Sequence, residues 1–417
     1  MSLYHKMSPV QVAQIRALKI ACIKGEADEK DKLPHTEIFE QAGALYFNKK
    51  WREMIERVDL EFPVSQGMSW AYSYLYYVRA QAVIQVYLAN KKIPISLQEL
   101  RLDCLPLEVR DYFEGMFYYS NGILDKAYEH FGKSRFYSSD FINNMWGFVD
   151  SSIRGVNSAI SFDGLEKLML DEHVADYTPP GFEIIKEAED NSYAHVIGCD
   201  EIYFNKFFDG FYRAFIKAAP HGVSLWVHLS NPSSETIEKI GNINDPRIGV
   251  AIDKAKFTNI KTYYTIIRFM LGNYLSRHYP YKKYCFSDID VGLKPSYLAF
   301  LEDDSDFVLK KIAGSVYPWR GVDAKFVVVN VANHYARDYV LSNIVRHFVY
   351  VYQDELNPRG NKQWWVDQYA LALISDYLIH NRAIGEKIKV RVLHPREMPI
   401  VTAQDLNVSR DEFFKTI

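Results

Sequence analysis

The chain has 417 residues, 48% apolar and 24% charged, enough for a sizeable core in two or three domains. Its 49 basic and 52 acidic residues leave a formal charge of -3, so no global field draws it to nucleic acid or an anionic membrane. No apolar run reaches the roughly 18 residues of a membrane span, and the N-terminal stretch lacks the apolar core of a signal peptide.

The first 165 or so residues read as helical. In VRDYFEGMFYYSNGILDKAYEHFGKSRF, small residues at Gly115, Ala127 and Ser134 alternate with Tyr118 and Phe131. Two helices with that pattern can approach closely, because the small residues admit the rings of the partner. The spacing resembles a tetratricopeptide-like hairpin, except that Asp111 and Glu114 stand where that repeat carries large apolar residues. EIFEQAGALYFNKKWREMIERVDLEFP fits more loosely, through Gly43, Tyr46 and Phe62. Further helices are expected over SWAYSYLYYVRAQAVIQVYLANKK and DFINNMWGFVDSSIRGVNSAI. The Pro-Pro-Gly turn in DEHVADYTPPGF breaks helical periodicity, so residues 1–170 are expected as a helical domain and 171–190 as a linker.

From about residue 192 the texture changes, and 191–417 is expected as a second domain. YAHVIGCD, GVSLWVHLS, RIGVAID, KKYCFSDID and AKFVVVNV are short β-branched runs, with helical stretches between several of them. That alternation predicts an α/β domain with a mostly parallel sheet covered by helices on both faces. Ligands of such sheets bind at the carboxyl ends of the strands. Asp200, Asp253, Asp288 and Asp290 all fall at or just past predicted ends. Two carboxylates at i and i+2, as at Asp288 and Asp290, point the same way on extended backbone and suit a hard cation such as Mn2+ or Mg2+. The four cysteines, Cys22, Cys104, Cys199 and Cys285, form no CxxC pair, which favours reduced thiols and a cytoplasmic protein over a zinc site.

This Asp-x-Asp strand end resembles the metal-binding motif of GT-A-fold glycosyltransferases. HVIGCDEIYFNKF looks like the first strand and nucleotide loop of that fold, and KTYYTIIRFML like the helix before the Asp-x-Asp strand. AKFVVVNVA looks like a later strand ending near an Asn, here Asn330, and WWVDQYALALI like the Asp-Gln motif of glycosyltransferase family 8. The resemblance implies a Rossmann-like GT-A domain that takes a nucleotide-sugar donor, read as UDP-linked. The acceptor would be a hydroxyl of a glycan, a lipid-linked molecule or a protein. It implies Asp288 and Asp290 on metal, with Asp288 also near the donor. Tyr264, Arg268, Asp200 and Cys199 would bind the donor, and Asp367 and Gln368 would face sugar and acceptor. Trp364 and Trp365 could stack on a sugar. Family 8 also supplies a late histidine to the metal; His394 is the late candidate, although the Gly and Lys that accompany that ligand are missing. The helical domain is expected to serve a protein partner.

Two other readings share parts of this pattern. Asp-x-Asp also forms the nucleophile motif of haloacid-dehalogenase-type phosphatases, but there it opens the domain and a Gly-Asp-x-x-x-Asp follows, which this chain lacks. A nucleotide-sugar-binding scaffold without turnover would need the same donor residues.

Overall fold

The computed structural model describes residues 8–9, 11–13, 15–16, 36–61, 70–90, 95–105, 107–134, 155–156, 158–171, 176–189, 191–219, 221–257, 260–312, 314–353 and 365–416. The chain divides into two compact units. One comprises Met1–Phe162 and Gly314–Pro318, the other Asp163–Ala313 and Trp319–Ile417. The division at Phe162 falls earlier than the expected boundary at 170, and Gly314–Pro318 joins the first unit, which no local pattern signals.

Among the described residues, the first unit contains helices α1 (Thr36–Phe47), α2 (Trp51–Glu61), α3 (Trp70–Asn90), α4 (Leu107–Ser120) and α5 (Leu124–Ser134). A tight turn joins α4 to α5, with Gly122 at φ 74. The expected close approach is present: a Cβ on Gly115 would lie 2.7 Å from the Phe131 ring. Tyr118 stacks on His130 with ring centroids 5.2 Å apart, and Ala127 is buried. Tyr317 stacks on Tyr112. Most of the helix expected over 140–160 lies outside the described residues.

Among the described residues the second unit carries ten strands: β1 (Glu183–Lys186), β2 (Tyr193–Asp200), β3 (Val223–Ser230), β4 (Ile248–Asp253), β5 (Lys283–Ser287), β6 (Val291–Leu293), β7 (Phe307–Lys311), β8 (Val322–Asn330), β9 (Val390–Leu393) and β10 (Ile400–Thr402). Eight of them form one sheet in the order β1-β4-β3-β2-β5-β8-β7-β9. β4, β3, β2 and β5 run parallel, while β8 enters antiparallel to β5. β1 lies in the stretch expected as linker; it pairs antiparallel with β4 as an edge strand. β6 and β10 pair as a separate antiparallel ribbon.

Seven helices of this unit matter below: α6 (Glu201–Ala218), α7 (Ser234–Gly241), α8 (Ile260–His278), α9 (Tyr297–Glu302), α10 (Ser342–Gln353), α11 (Val366–His380) and α12 (Arg410–Thr416). α6 buries Phe204, Phe207, Phe208, Phe211 and Phe215, a helical stripe that covers one face of the sheet. Every residue of β3 is buried, as a central strand covered on both faces requires. The registers pair Asp200 with Ser230 and Ser230 with Asp253, so β2, β3 and β4 end at one level.

Candidate active site

The carboxyl edge of the parallel strands is where the side chains converge. β5 stops at Ser287, and Asp288 to Asp290 turn the chain out of the sheet into β6. The turn is anchored by Ile289, which is buried in the core between the two acids. β6 is then held by β10, with Val291 opposite Thr402.

α8 crosses directly over β2. A Cβ on Gly198 would lie 2.9 Å from the Arg268 backbone nitrogen and 2.5 Å from Ile267, so glycine there is what lets the helix approach. The approach carries Arg268 into the interior, where its side chain is only 2% exposed. Its guanidinium reaches Asp288 (Nη1 to Oδ1, 3.1 Å) and Asp367 (Nη2 to Oδ2, 3.1 Å), and Nη2 donates to the Ala324 carbonyl at 3.1 Å. Asp288 follows β5, Asp367 opens α11, and Ala324 belongs to β8, so one arginine ties three elements together. The resemblance puts Arg268 on the donor; in the structure its terminal nitrogens lie against Asp288, Asp367 and the Ala324 carbonyl, so it also holds the carboxylates.

Two carboxylates against one guanidinium leave the cluster short of positive charge. Burial pushes the Asp288 carboxyl up to about 6 against the lowering pull of Arg268, with Asp290 and Asp367 adding to the rise. Burial raises Asp367 as well, again opposed by Arg268. The Asp288 side chain remains 35% exposed at the edge of this cluster. Asp290, 16% exposed, lies 3.4 Å from Nε of Arg410 at the start of α12. Arg410 also donates to the Tyr203 hydroxyl at 3.1 Å. Nothing in the local sequence signals that contact.

Asp367 accepts from the Gln368 backbone N–H at 2.9 Å, and Gln368, the third residue of α11, is half-buried. Trp365 precedes them at φ 74, in the left-handed region, with its indole N–H buried and unpartnered among the described residues. Trp364 lies outside the described residues.

Other candidates sit differently from expectation. Asp200 caps α6, accepting from the Tyr203 N–H at 2.7 Å. Cys199 is a correction: it packs into the apolar core, and burial pushes its thiol well up. Period-2 alternation explains this, since Cys199 and its neighbour Asp200 cannot face the same side of a strand. Tyr264 is half-buried, with its phenol raised first by burial and then by the charges of Asp200 and Asp253. Asp253 is fully buried: it accepts from Tyr263 at 2.6 Å, Ser230 at 2.9 Å and the Ala255 N–H at 2.9 Å. His228 Nε2 lies 2.9 Å from its carboxylate.

His394 is the second correction. It is exposed, its Nδ1 accepts from the Arg396 N–H at 3.3 Å, and its own N–H donates to Glu397 at 2.7 Å. It caps a short turn and forms no three-ligand cluster with Asp288 and Asp290 among the described residues. Asn330 lies at the opposite edge of the sheet, level with Lys283, because β8 runs antiparallel; it donates to Asp306 at 2.8 Å.

Beneath the turn, sequence reasoning missed a buried histidine. His195 of β2 bonds the Tyr297 hydroxyl at 2.9 Å and the Ser287 hydroxyl at 2.8 Å, and Ser287 donates to the Asp288 carbonyl at 3.1 Å. Burial drives the His195 imidazole down to about 3, so it is neutral and supports the strand end from below.

No family model matches the sequence, and no curated protein does. Among solved structures, the apo-form glycosyltransferase GlyE of Streptococcus pneumoniae TIGR4 is similar at 11% identity and TM-score 0.32, over 50% of this chain and 46% of that one. The galactosyltransferase LgtC, solved with donor and acceptor sugar analogs, is similar at 14% identity and TM-score 0.32, over 43% of this chain and 70% of that one. A second GlyE structure gives 10% identity and TM-score 0.31, over 49% and 45%. This chain thus spans under half the length of the GlyE chains.

Proposed function

We propose that this chain is a metal-dependent glycosyltransferase that moves a sugar from a nucleotide-sugar donor, read as UDP-linked, to a hydroxyl acceptor. The observation that carries the reading is the meeting of Asp288 and Asp367 on Arg268. These acids belong to the two motifs, Asp-x-Asp and Asp-Gln, that the sequence sets 79 positions apart by their numbering, and one buried guanidinium brings both to the carboxyl edge of the sheet. A solvated turn after β5 would need neither the buried arginine nor the second acid.

The donor set fits a hard dication. Asp288 and Asp290 offer oxygen only, flank one buried residue, and repel each other enough to help raise Asp288. These two would hold Mn2+ or Mg2+, which when bound neutralises charge on a departing nucleoside diphosphate. The chain's own residues do the rest. Arg268 fixes both carboxylates, and Asp367 and Gln368 orient hydroxyls at the sugar's reacting face. The family 8 resemblance carries with it retention at the anomeric carbon. Free, buried Cys104, Cys199 and Cys285 support the cytoplasmic reading.

Titration calorimetry with UDP, with Mn2+ and with EDTA, tests this on wild type and Asp290→Asn. We expect binding that requires Mn2+ and weakens at least tenfold in the variant, about 1.4 kcal/mol. UDP affinity equal in both proteins, or unaffected by EDTA, overturns it. Hydrolysis of UDP-sugars by the wild type separates an enzyme from a binding scaffold.

A further inference from the structure

The helical unit holds a second cluster that the glycosyltransferase reading does not use. Asp111 and Glu114 occupy successive turns of α4, at the positions where a helical hairpin calls for apolar packing. His130 comes from α5 opposite them. Its Nδ1 lies 2.8 Å from Asp111 Oδ1 and 3.0 Å from Glu114 Oε2. One ligand atom from each residue lies within 4.8 Å of the others. All three side chains are largely buried, at 15, 30 and 17% exposure respectively.

We propose that Asp111, Glu114 and His130 form a divalent-cation site that staples α4 to α5, with Zn2+ as the ion its donors suit. Three observations support this. First, the imidazole is already oriented, because its ring stacks on Tyr118 at an interplanar angle of 21° with Nδ1 toward the acids. Second, two carboxylates face a single imidazole. Among the described residues no lysine or arginine pairs with either acid, and Lys133, one turn on, is spent on Glu129 at 2.6 Å. Third, one nitrogen and two oxygens from protein leave a fourth tetrahedral position for water at the partly exposed side. The edge of such a tetrahedron is about 3.3 Å for ligands at 2.0–2.1 Å. The two separations from His130, 2.8 and 3.0 Å, would open by a few tenths of an ångström, and the two carboxylate oxygens lie within 4.8 Å of each other. On binding, Nδ1 gives its lone pair to the ion, Nε2 carries the ring proton, and both carboxylates stay ionised. The site is independent of the nucleotide-sugar reading, since none of its residues belongs to the sheet unit.

The full chain, stripped with chelator, is titrated with ZnCl2 by equilibrium dialysis. We expect one saturable equivalent that persists in an Asp288→Asn, Asp290→Asn variant. It should weaken at least tenfold in His130→Phe, which keeps the stacking on Tyr118, and in the isosteric Asp111→Asn. Zinc X-ray absorption on the wild type should show one imidazole nitrogen among oxygen neighbours, a reading that does not depend on any variant folding. Absence of saturable zinc in the wild type, unchanged zinc in both variants, or a sulfur-containing shell overturns the proposal.

Discussion

In each unit a buried arginine meets acids, Arg79 in one and Arg268 in the other, and the two are balanced differently. In the helical unit Arg79 meets Asp59 through two parallel bonds (Nε to Oδ1 2.7 Å, Nη2 to Oδ2 2.8 Å), and Arg101 lies 3.3 Å from the same carboxylate. Two cations there share one acid, and the remaining Arg79 nitrogen donates to the Glu99 carbonyl. In the sheet unit Arg268 faces two acids alone. An acid whose charge is fully met, as Asp59 is, serves packing. A cluster left short of positive charge, at a strand end and with one carboxylate 35% exposed, is what the proposed cation site rests on. Burial is similar in the two places, so the charge count is what separates them.

The largest effect should come from removing the arginines. Arg268→Ala leaves two acids without a counter-charge, and Arg79→Ala leaves Asp59 with Arg101. We expect Arg268→Ala to cost about 3–5 kcal/mol in urea unfolding, and Arg79→Ala less than that. Mn2+ should restore stability to Arg268→Ala and do nothing for Arg79→Ala. Equal losses without metal rescue would break the contrast.

Next comes His195, which links the strand end to the interior. Its folded pKa of about 3 lies below the ordinary value of 6.5, so the unfolded chain binds the extra proton. Its contribution is therefore complete above pH 6.5 and is lost as pH falls from 6.5 toward 3, by up to about 5 kcal/mol. Urea midpoints measured from pH 7 to 4 should fall more steeply for wild type than for His195→Gln. Parallel curves would show that His195 is not the group responsible.

Turnover sharpens the comparison further. Gln368→Ala should lose about 2–4 kcal/mol of transition-state stabilisation while UDP affinity changes little, because its interaction strengthens as charge develops. Transfer rates and donor affinity, measured side by side, check this, and wild-type turnover would remove Gln368 from the site.

The smallest effect tests the charge count directly. Asp288→Asn removes one of two competing acids, and we expect about 1 kcal/mol of added stability at pH 7 without metal, allowing for solvent screening at a carboxylate this exposed. Asp59→Asn should lower stability by a similar amount. Thermal melts of the two variants, run with EDTA, should shift in opposite directions; a shift in the same direction denies the asymmetry.

Local pattern was enough for several of these features, because each depends on residues close in sequence. Short β-branched apolar runs set β2 to β5, and a Gly115–Phe131 contact follows from small and large residues on neighbouring helices. Asp288 and Asp290 announce a strand end by being acids after an apolar run. Long-range pairing was not written in any such window. β8 runs antiparallel to β5, which carries Asn330 to the far edge and brings the Ala324 carbonyl to Arg268. Glu183–Lys186 became an edge strand because β4 offered an unpaired edge. Cys199 and His394 looked like ligands by position in a motif, yet strand alternation turned one into the core and a local cap consumed the other's nitrogen. Arg268 reads in sequence as one more cation on a helix. Only the approach of α8 over Gly198 removes it from water, and only burial makes its two acids costly to keep charged.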